Sequence, residues 1–223
     1  MITVAVVMLV RNGPRPSFLP LATSVDGPPP AHAAAVLVFL HGRGGSIARG
    51  DAMVSQLRAA GLPADVAIVR MEAPYSTGFG HQWGDTREDQ ATSRARLRAR
   101  LRELLGDSDL PRARVVIAGF SQGAGVAIDM AVEEPRIGAV ASFSPCYSSL
   151  RGELPKKSDL RILLVHGTSD AVCPVEESRS LARALEAAQR PARYIEFDGA
   201  HTVPPEAVRA LVELTMRYLG PSP

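Results

Sequence analysis

Ser121 is the side chain in this sequence whose surroundings point most directly to chemistry. It lies in Gly119-Phe120-Ser121-Gln122-Gly123, after the apolar run 115–118 and before an alanine-rich segment that predicts a helix. A strand, a sharp turn and a helix around Gly-x-Ser-x-Gly form the pattern that presents a serine as a nucleophile. The two glycines remove bulk that would collide with the neighbouring strand and helix. The pattern predicts a nucleophilic serine; the alternative is an idle serine in a glycine-rich turn.

A serine hydroxyl is a weak nucleophile at neutral pH and needs a base that a carboxylate orients. Of the five histidines, we expect His201 to be that base, because it follows the last predicted strand and a Gly-Ala pair. His32 lies in a proline-rich loop, and His41 is expected to brace a glycine-rich turn. His81 lies in an aromatic loop as a further candidate contact, and His166 ends a strand, where we expect a structural role.

The orienting acid should lie between the serine and the histidine along the chain. Asp170 meets this condition and follows a buried apolar strand. Asp159 precedes that strand and would lie at the opposite edge of a sheet, and Asp198 is so close to His201 that it is expected to brace the turn. We therefore expect Asp170 to be the acid.

Negative charge on an attacked carbonyl oxygen is best stabilised by two backbone N–H groups that point at one position. One donor is expected from Gln122, the residue after the serine. The other is expected from the glycine-rich turn 41–45, where Arg43 is our choice and Gly42 the alternative. No metal ion or cofactor is needed for this chemistry, and we expect none.

The elements that must position these residues alternate strand and helix from about residue 35 onward. This order predicts an α/β fold with a mostly parallel sheet and helices on both faces. Ligands bind such sheets beyond the carboxyl ends of the strands, where the candidate residues are expected. The predicted strands are 2–10, 17–24 (the weakest), 35–40, 64–69, 115–118, 137–143, 160–165 and 192–197; the predicted helices are 50–60, 88–105, 176–189 and 205–219, with one more after Ser121.

Composition limits the range of functions. The length of 223 residues fits a single domain over 1–223, and a net charge of +2 gives no case for nucleic-acid binding. The apolar amino terminus lacks the features of a signal peptide, and no apolar run is long enough to span a membrane. We expect a cytoplasmic protein with free thiols at Cys146 and Cys173. The sequence leaves a homodimer open.

Several motifs together resemble the carboxylesterase/phospholipase branch of the α/β-hydrolases, which includes acyl-protein thioesterases. They are Leu40-His41-Gly42-Arg43-Gly44-Gly45, Ala73-Pro74, Gln82-Trp83, Gly119-Phe120-Ser121-Gln122-Gly123, His166-Gly167-Thr168-Ser169-Asp170, Cys173-Pro174-Val175 and Gly199-Ala200-His201. The resemblance covers roughly residues 35–202 and implies a three-layer sandwich. It also implies a triad of Ser121, Asp170 and His201, with Trp83 near the mouth of the active site.

Only the segment Ser144–Asp159 lies between the strand after the serine helix and the strand before the acid. This is too short for a cap domain and predicts an open cleft roofed by loop 71–87. Phe79 and Trp83 are candidates for the wall of an acyl pocket, with packing of the loop as the alternative. His41 is a third candidate substrate contact.

The function that these features predict is cofactor-independent hydrolysis of a small-molecule carboxylic ester by a serine nucleophile. Acyl-protein thioesterase or lysophospholipase activity on thioesters or lipids is the alternative within the same chemistry. A non-catalytic binding protein on the same fold is the alternative from another class, and an acyltransferase or perhydrolase using the same serine is a third.

Overall fold

Strands and helices alternate along the part of the chain described by the computed structural model, residues 21–146, 159–190, 192–217 and 219. The strands are β1 (Thr23–Asp26), β2 (Ala35–Leu40), β3 (Val66–Met71), β4 (Tyr75–Ser76), β5 (His81–Gln82), β6 (Val115–Phe120), β7 (Ala139–Phe143), β8 (Arg161–Gly167) and β9 (Arg193–Phe197). The α-helices are α1 (Asp51–Ala59), α2 (Arg87–Leu105), α3 (Gln122–Glu133), α4 (Val175–Ala187) and α5 (Pro205–Met216), with short 3-10 helices at Pro30–His32, Ala48–Gly50 and Arg112–Arg114.

One seven-stranded sheet organises the fold, in the order β1-β3-β2-β6-β7-β8-β9. Strand β1 is antiparallel to β3, and all other neighbouring pairs are parallel. Parallel neighbours put their carboxyl ends at the same edge, so the loops after β2, β6, β7, β8 and β9 come together there. The predicted mostly parallel α/β sheet is confirmed.

Helices cover both faces of the sheet because the central strands are apolar on both sides. In β2, Val36, Val38 and Leu40 pack into a core with α2, α3 and α4, whereas the alternate residues pack into a second core with α1 and α5. Side chains alternate between the two faces of a strand, which explains why such strands read as continuous apolar runs. The result is the three-layer sandwich that the sequence predicts.

The predictions at the edges of the fold differ from the structure or lie outside it. The predicted strand 2–10 and residues 17–20 of the predicted strand 17–24 lie outside the described residues, and residues 23 and 24 belong to β1. The long loop 71–87 contains the small hairpin β4–β5. Most of segment 144–159 lies outside the described residues, so the open cleft stays a prediction. The apolar spacing of 205–219 predicts that Met216 in α5 faces inward, but 37% of its surface is exposed and that prediction is wrong.

The arginines of α2 occupy every second position from 94 to 102, a pattern that by itself predicts a solvated face. In the structure, Arg94, Arg98 and Arg102 lie one turn apart and contact carboxylates of α3 and of the turn after it. Arg94 pairs with Asp129 and Glu133 and is only 17% exposed at its side chain. These ion pairs join two helices of the same layer, because every fourth residue of a helix returns to one side.

Glu134 is the buried anchor of this network, with a side chain 1% exposed that contacts Arg98 and Arg102. We expect Glu134→Ala to lower the free energy of unfolding by about 2–3 kcal/mol, since Arg102 and the backbone N–H of Arg136 lose this carboxylate, while Arg98 keeps Glu133. In contrast, Glu103→Ala should cost less than about 1 kcal/mol, because the Arg100–Glu103 pair is more exposed. Urea unfolding measures both, and equal losses would contradict the prediction.

No helix in the described part of the chain combines the length and apolar character needed to cross a membrane.

Candidate active site

The turn between β6 and α3 holds Ser121 in a backbone conformation that L-residues rarely adopt, with φ 56° and ψ −122°. Such strain persists only where the surroundings impose it. Its neighbours are packed backbone to backbone: a Cβ on Gly119 would meet the Gly123 carbonyl, and a Cβ on Gly123 would meet the carbonyls of Leu40 and His41. The two glycines are therefore required by contact, as the sequence pattern predicts.

Asp170 and His201 meet across the ends of β8 and β9. His201 Nδ1 is 2.7 Å from Asp170 Oδ2, and the histidine side chain is 16% exposed. A Cβ on Gly167 would meet the carbonyls of Gly199 and Ala200, so glycine at the end of β8 lets the two loops touch. This close approach sets the distance between the carboxylate and the imidazole.

The carboxylate of Asp170 is fully enclosed and bound on both oxygens. Oδ1 accepts hydrogen bonds from the backbone N–H groups of Val172 and Cys173, both at 2.9 Å. Burial raises the pKa of Asp170, but these N–H groups and His201 lower it more, so the net pKa lies below the ordinary value. The group is therefore a carboxylate at neutral pH and holds the Nδ1–H of His201.

His166 packs inside the loop after β8 that carries Asp170 and Cys173, called the acid loop. It is fully buried, its Nε2 lies 2.9 Å from the Cys173 carbonyl and 3.3 Å from Asp170 Oδ2, and its Nδ1 lies 2.7 Å from Ser178 Oγ. A ring with both nitrogens engaged inside the core is a structural element, in agreement with the role expected for it.

Ser121 lies in the same cluster. Its Oγ is 3.6 Å from Cys146 Sγ, and the sulfurs of Cys146 and Cys173 lie within 4.8 Å of a ring nitrogen of His201. The ring of Phe120 packs on that of His201 with centroids 4.6 Å apart. Among the described residues, the Ser121 hydroxyl makes its side-chain contact with the sulfur, and no hydrogen bond joins it to His201.

Cys146 and Cys173 form a disulfide, so the prediction of free thiols is wrong. Cys146 follows β7 and Cys173 precedes α4, and the Cα atoms are 5.1 Å apart. The signal that could have found the pair is their position after two neighbouring parallel strands, whose carboxyl ends share one edge. Within the described residues, the two sulfurs and His201 are also the group of side chains with metal-ligand spacing.

The glycine-rich turn after β2 lies against Ser121. A Cβ on Gly42 would approach Ser121 Cβ to 3.1 Å. The Gly42 carbonyl is held by the N–H of Gly45 at 3.0 Å and by His41 Nδ1 at 2.7 Å. A trans peptide directs its N–H opposite to its C=O, so the Arg43 N–H points away from these partners. Neither this N–H nor that of Gln122 donates to any residue that the structure describes.

Trp83 ties loop 71–87 to this turn and has no exposed surface. Its indole Nε1 donates to the His41 carbonyl at 2.8 Å, and its backbone N–H donates to Gln122 Oε1 at 2.9 Å. Gln122 Nε2 in turn donates to the Gly84 carbonyl at 2.8 Å. In this conformation Trp83 packs the loop onto the body and offers no surface to a ligand. The sequence does not predict these two hydrogen bonds of the Gln122 side chain.

Phe79 lies in the same loop as Trp83 but is exposed, with 69% of its surface accessible. Its ring covers Gly44, at φ 74°, where a Cβ would collide with it. Val172, in the acid loop, is 66% exposed. Large apolar side chains are therefore exposed over the turn after β2, from loop 71–87, and on the loop after β8.

His41 is almost buried and braces the turn, as expected. Its Nε2 accepts the Ala73 N–H at 3.1 Å, and Nδ1 faces the Gly42 carbonyl, which fixes the proton on Nδ1. Burial lowers the pKa of His41 below its ordinary 6.5, against raising contributions from the Gly42 carbonyl and Glu72. A proton on Nε2 would also oppose the Ala73 N–H.

This arrangement predicts that acid destabilises the fold through His41. The unfolded chain takes up the proton as pH falls through 6.5, whereas the folded state resists it, so the free energy of unfolding falls from that pH downward. His41→Gln keeps an acceptor for Ala73 but does not titrate. Between pH 7.5 and 5.5 the native protein should lose more stability than the variant, by at most about 1.4 kcal/mol per pH unit. Urea unfolding measures this, and parallel pH profiles would contradict it.

The mostly parallel sheet with this strand order, the strained serine turn after β6, and the paired acid and histidine after β8 and β9 define an α/β-hydrolase. A model of the phospholipase/carboxylesterase family matches residues 27–217, and the chain belongs to that family. It is a hydrolase of the carboxylesterase type.

Solved structures agree with this assignment. Esterase PE8 is 25% identical, with a TM-score of 0.76 over 90% of this chain and 100% of its own. The Bacillus cereus carboxylesterase is 17% identical, with a TM-score of 0.73 over 89% of this chain and 94% of its own. Arabidopsis thaliana SOBER1 is 18% identical, with a TM-score of 0.67 over 83% of this chain and 99% of its own. At these lower identities the likeness concerns the fold alone. Among curated protein sequences, no significant match was found.

Proposed function

We propose that the protein hydrolyses small carboxylic esters through an acyl-enzyme formed on Ser121, with His201 as base and Asp170 as orienting acid. The observation that carries this proposal is the 2.7 Å contact between His201 Nδ1 and Asp170 Oδ2, beside a serine in a strained strand-to-helix turn. Asp170 holds the proton on Nδ1 and leaves Nε2 free to act on the Ser121 hydroxyl. Rotation of that hydroxyl from the Cys146 sulfur towards His201 starts the reaction.

In the first half-reaction, Ser121 Oγ attacks the acyl carbon while His201 Nε2 takes its proton and then gives it to the leaving alcohol. In the second, His201 takes a proton from the water that attacks the acyl carbon, and then returns it to Ser121 Oγ as the acid is released. The N–H groups of Gln122 and Arg43, which have no partner among the described residues, are the donors we assign to the oxyanion. The amino terminus of α3 adds favourable positive potential.

The exposed apolar residues favour an acyl chain as the group bound beside the serine. Phe79 and Val172 lie on the two loops that flank the site and keep more than half of their surface accessible. Apolar surface buried by a ligand contributes about 25 cal/mol per Å². We therefore assign Phe79 as an acyl contact, with Trp83 and His41 shaping the loops from inside. Thioesters offer the same acyl group, and a thioesterase or lysophospholipase is the second candidate.

Ser121→Ala should lower kcat for p-nitrophenyl esters on the order of 10⁶-fold without unfolding the protein, since the nucleophile is lost. Ser55→Ala, on the exposed face of α1, is the matched control and should stay near native activity. A panel of oxygen esters and thioesters of increasing chain length identifies the substrate class. A fluorophosphonate probe should label the native protein and not Ser121→Ala. Ser121→Ala activity that stays within about tenfold of native would contradict Ser121 as the nucleophile, whereas an unlabelled native protein would favour a binding protein over an enzyme.

Arg43→Pro should lower kcat about 10²–10³-fold, because proline has no N–H to donate to the oxyanion. Arg43→Ala keeps this N–H and loses only the exposed ion pair with Asp85 at 3.0 Å, so its kcat should stay within a few-fold of native. Steady-state kinetics on the two variants, with circular dichroism to confirm folding, tests the assignment. Equal effects of the two substitutions would assign the second donor elsewhere, with Gly42 next.

A further inference from the structure

The Cys146–Cys173 disulfide lies inside the candidate active site, and the acyl-enzyme route uses neither sulfur. Cys146 Sγ is 3.6 Å from Ser121 Oγ, and both sulfurs lie within 4.8 Å of a ring nitrogen of His201. We propose that reduction of this disulfide creates a site for a soft divalent cation of the Zn²⁺ type, held by Cys146, Cys173 and His201. The bound metal inhibits the hydrolase because it occupies the histidine.

The spacing of the donor atoms fits such an ion. Zn–S bonds of about 2.3 Å and Zn–N bonds of about 2.0 Å place the donors of a tetrahedral site about 3.5–3.8 Å apart. The three donor atoms already lie within 4.8 Å of one another. Once the S–S bond is cleaved, the sulfurs can separate by side-chain rotation, with the Cα atoms left at 5.1 Å. Ser121 Oγ lies 3.6 Å from Cys146 Sγ, so a polar oxygen is close to one of the proposed ligands.

The surroundings of His201 favour metal binding through Nε2. Its Nδ1 is engaged by Asp170 Oδ2 at 2.7 Å. Histidine ligands of zinc commonly donate their other ring N–H to a carboxylate, which fixes the tautomer and raises the basicity of the ligating nitrogen. The carboxylate that orients the base for catalysis therefore also orients it as a ligand.

The ligand set also matches the charge and softness of the cation. Two thiolates and a neutral imidazole balance the charge of Zn²⁺, and thiolates select soft or borderline metals over Mg²⁺ and Ca²⁺. Cys173 is 1% exposed, so a charged thiolate there gains from a bound cation. Metal binding releases the two thiol protons.

The site exists only after a two-electron reduction. A water-soluble phosphine supplies both electrons: it cleaves the S–S bond, takes an oxygen atom from water to become the phosphine oxide, and leaves two thiols that carry the protons of that water. In the disulfide the sulfurs are bonded to each other and are not thiolate ligands. Oxidised protein should therefore bind no metal here.

The binding experiment uses full-length Ser121→Ala, which keeps all three ligands. Protein reduced with the phosphine and freed of excess reagent should bind one Cd²⁺ with a thiolate-to-metal charge-transfer band, and Zn²⁺ should displace it. The oxidised protein and the double variant Cys146→Ser/Cys173→Ser, which keeps every histidine, are the controls and should give no band. Absence of a saturable band from the reduced protein, or an equal band from the double variant, would overturn the proposal.

The inhibition experiment uses reduced native protein and rests on the proposed function. One equivalent of Zn²⁺ should lower esterase activity on the order of 10²-fold, because the general base is occupied, and a chelator should restore it. Reduced Cys146→Ser/Cys173→Ser, compared with itself with and without Zn²⁺, should change little. Zinc binding without loss of activity would overturn the inhibitory role. A native protein inactive on every ester would instead contradict the proposed function, while the band of Ser121→Ala would still establish the metal site.

Discussion

The contact on which the site depends is backbone against backbone, between the turn that carries Ser121 and the end of β2. Gly123 lies so close to the carbonyls of Leu40 and His41 that no side chain fits between them. This contact brings the serine and the turn containing Arg43 together, because both are joined to adjacent parallel strands. The strain at φ 56° persists because the sheet fixes both ends of the turn.

A second contact of the same kind joins the acid to the histidine. Gly167 ends β8 in contact with the backbone of Gly199 and Ala200. Backbone hydrogen bonds from Thr168 to Phe197, at the end of β9, and from Ser169 to Gly199 complete the junction. The polar side chains of the site are therefore placed by glycines that carry no chemistry. Side chains from four loops meet because each loop leaves the same edge of one sheet.

The sequence allowed the prediction of the sheet, its helices and the loops that meet at its edge, because these follow from apolar periodicity and from glycine at tight turns. It did not predict the disulfide, because the distance between Cys146 and Cys173 depends on how two loops are packed, although both follow neighbouring strands. The ion pairs of the α2 arginines are not predictable for a similar reason: alternation along the chain says nothing about which helix lies beside Arg94. The chemical type of Trp83 suggests a substrate contact, but its complete burial limits it to packing in this conformation.

The two hydrogen bonds from the Gln122 side chain to Trp83 and Gly84 have a mechanical consequence. Gln122, whose backbone N–H we assign to the oxyanion, also holds loop 71–87 in place through its side chain. Loop 71–87 is thereby fastened to the first turn of α3, the turn that also carries the amide assigned to the oxyanion. We therefore expect a displacement of the loop to reach this amide, so that the loop and the catalytic helix are mechanically coupled.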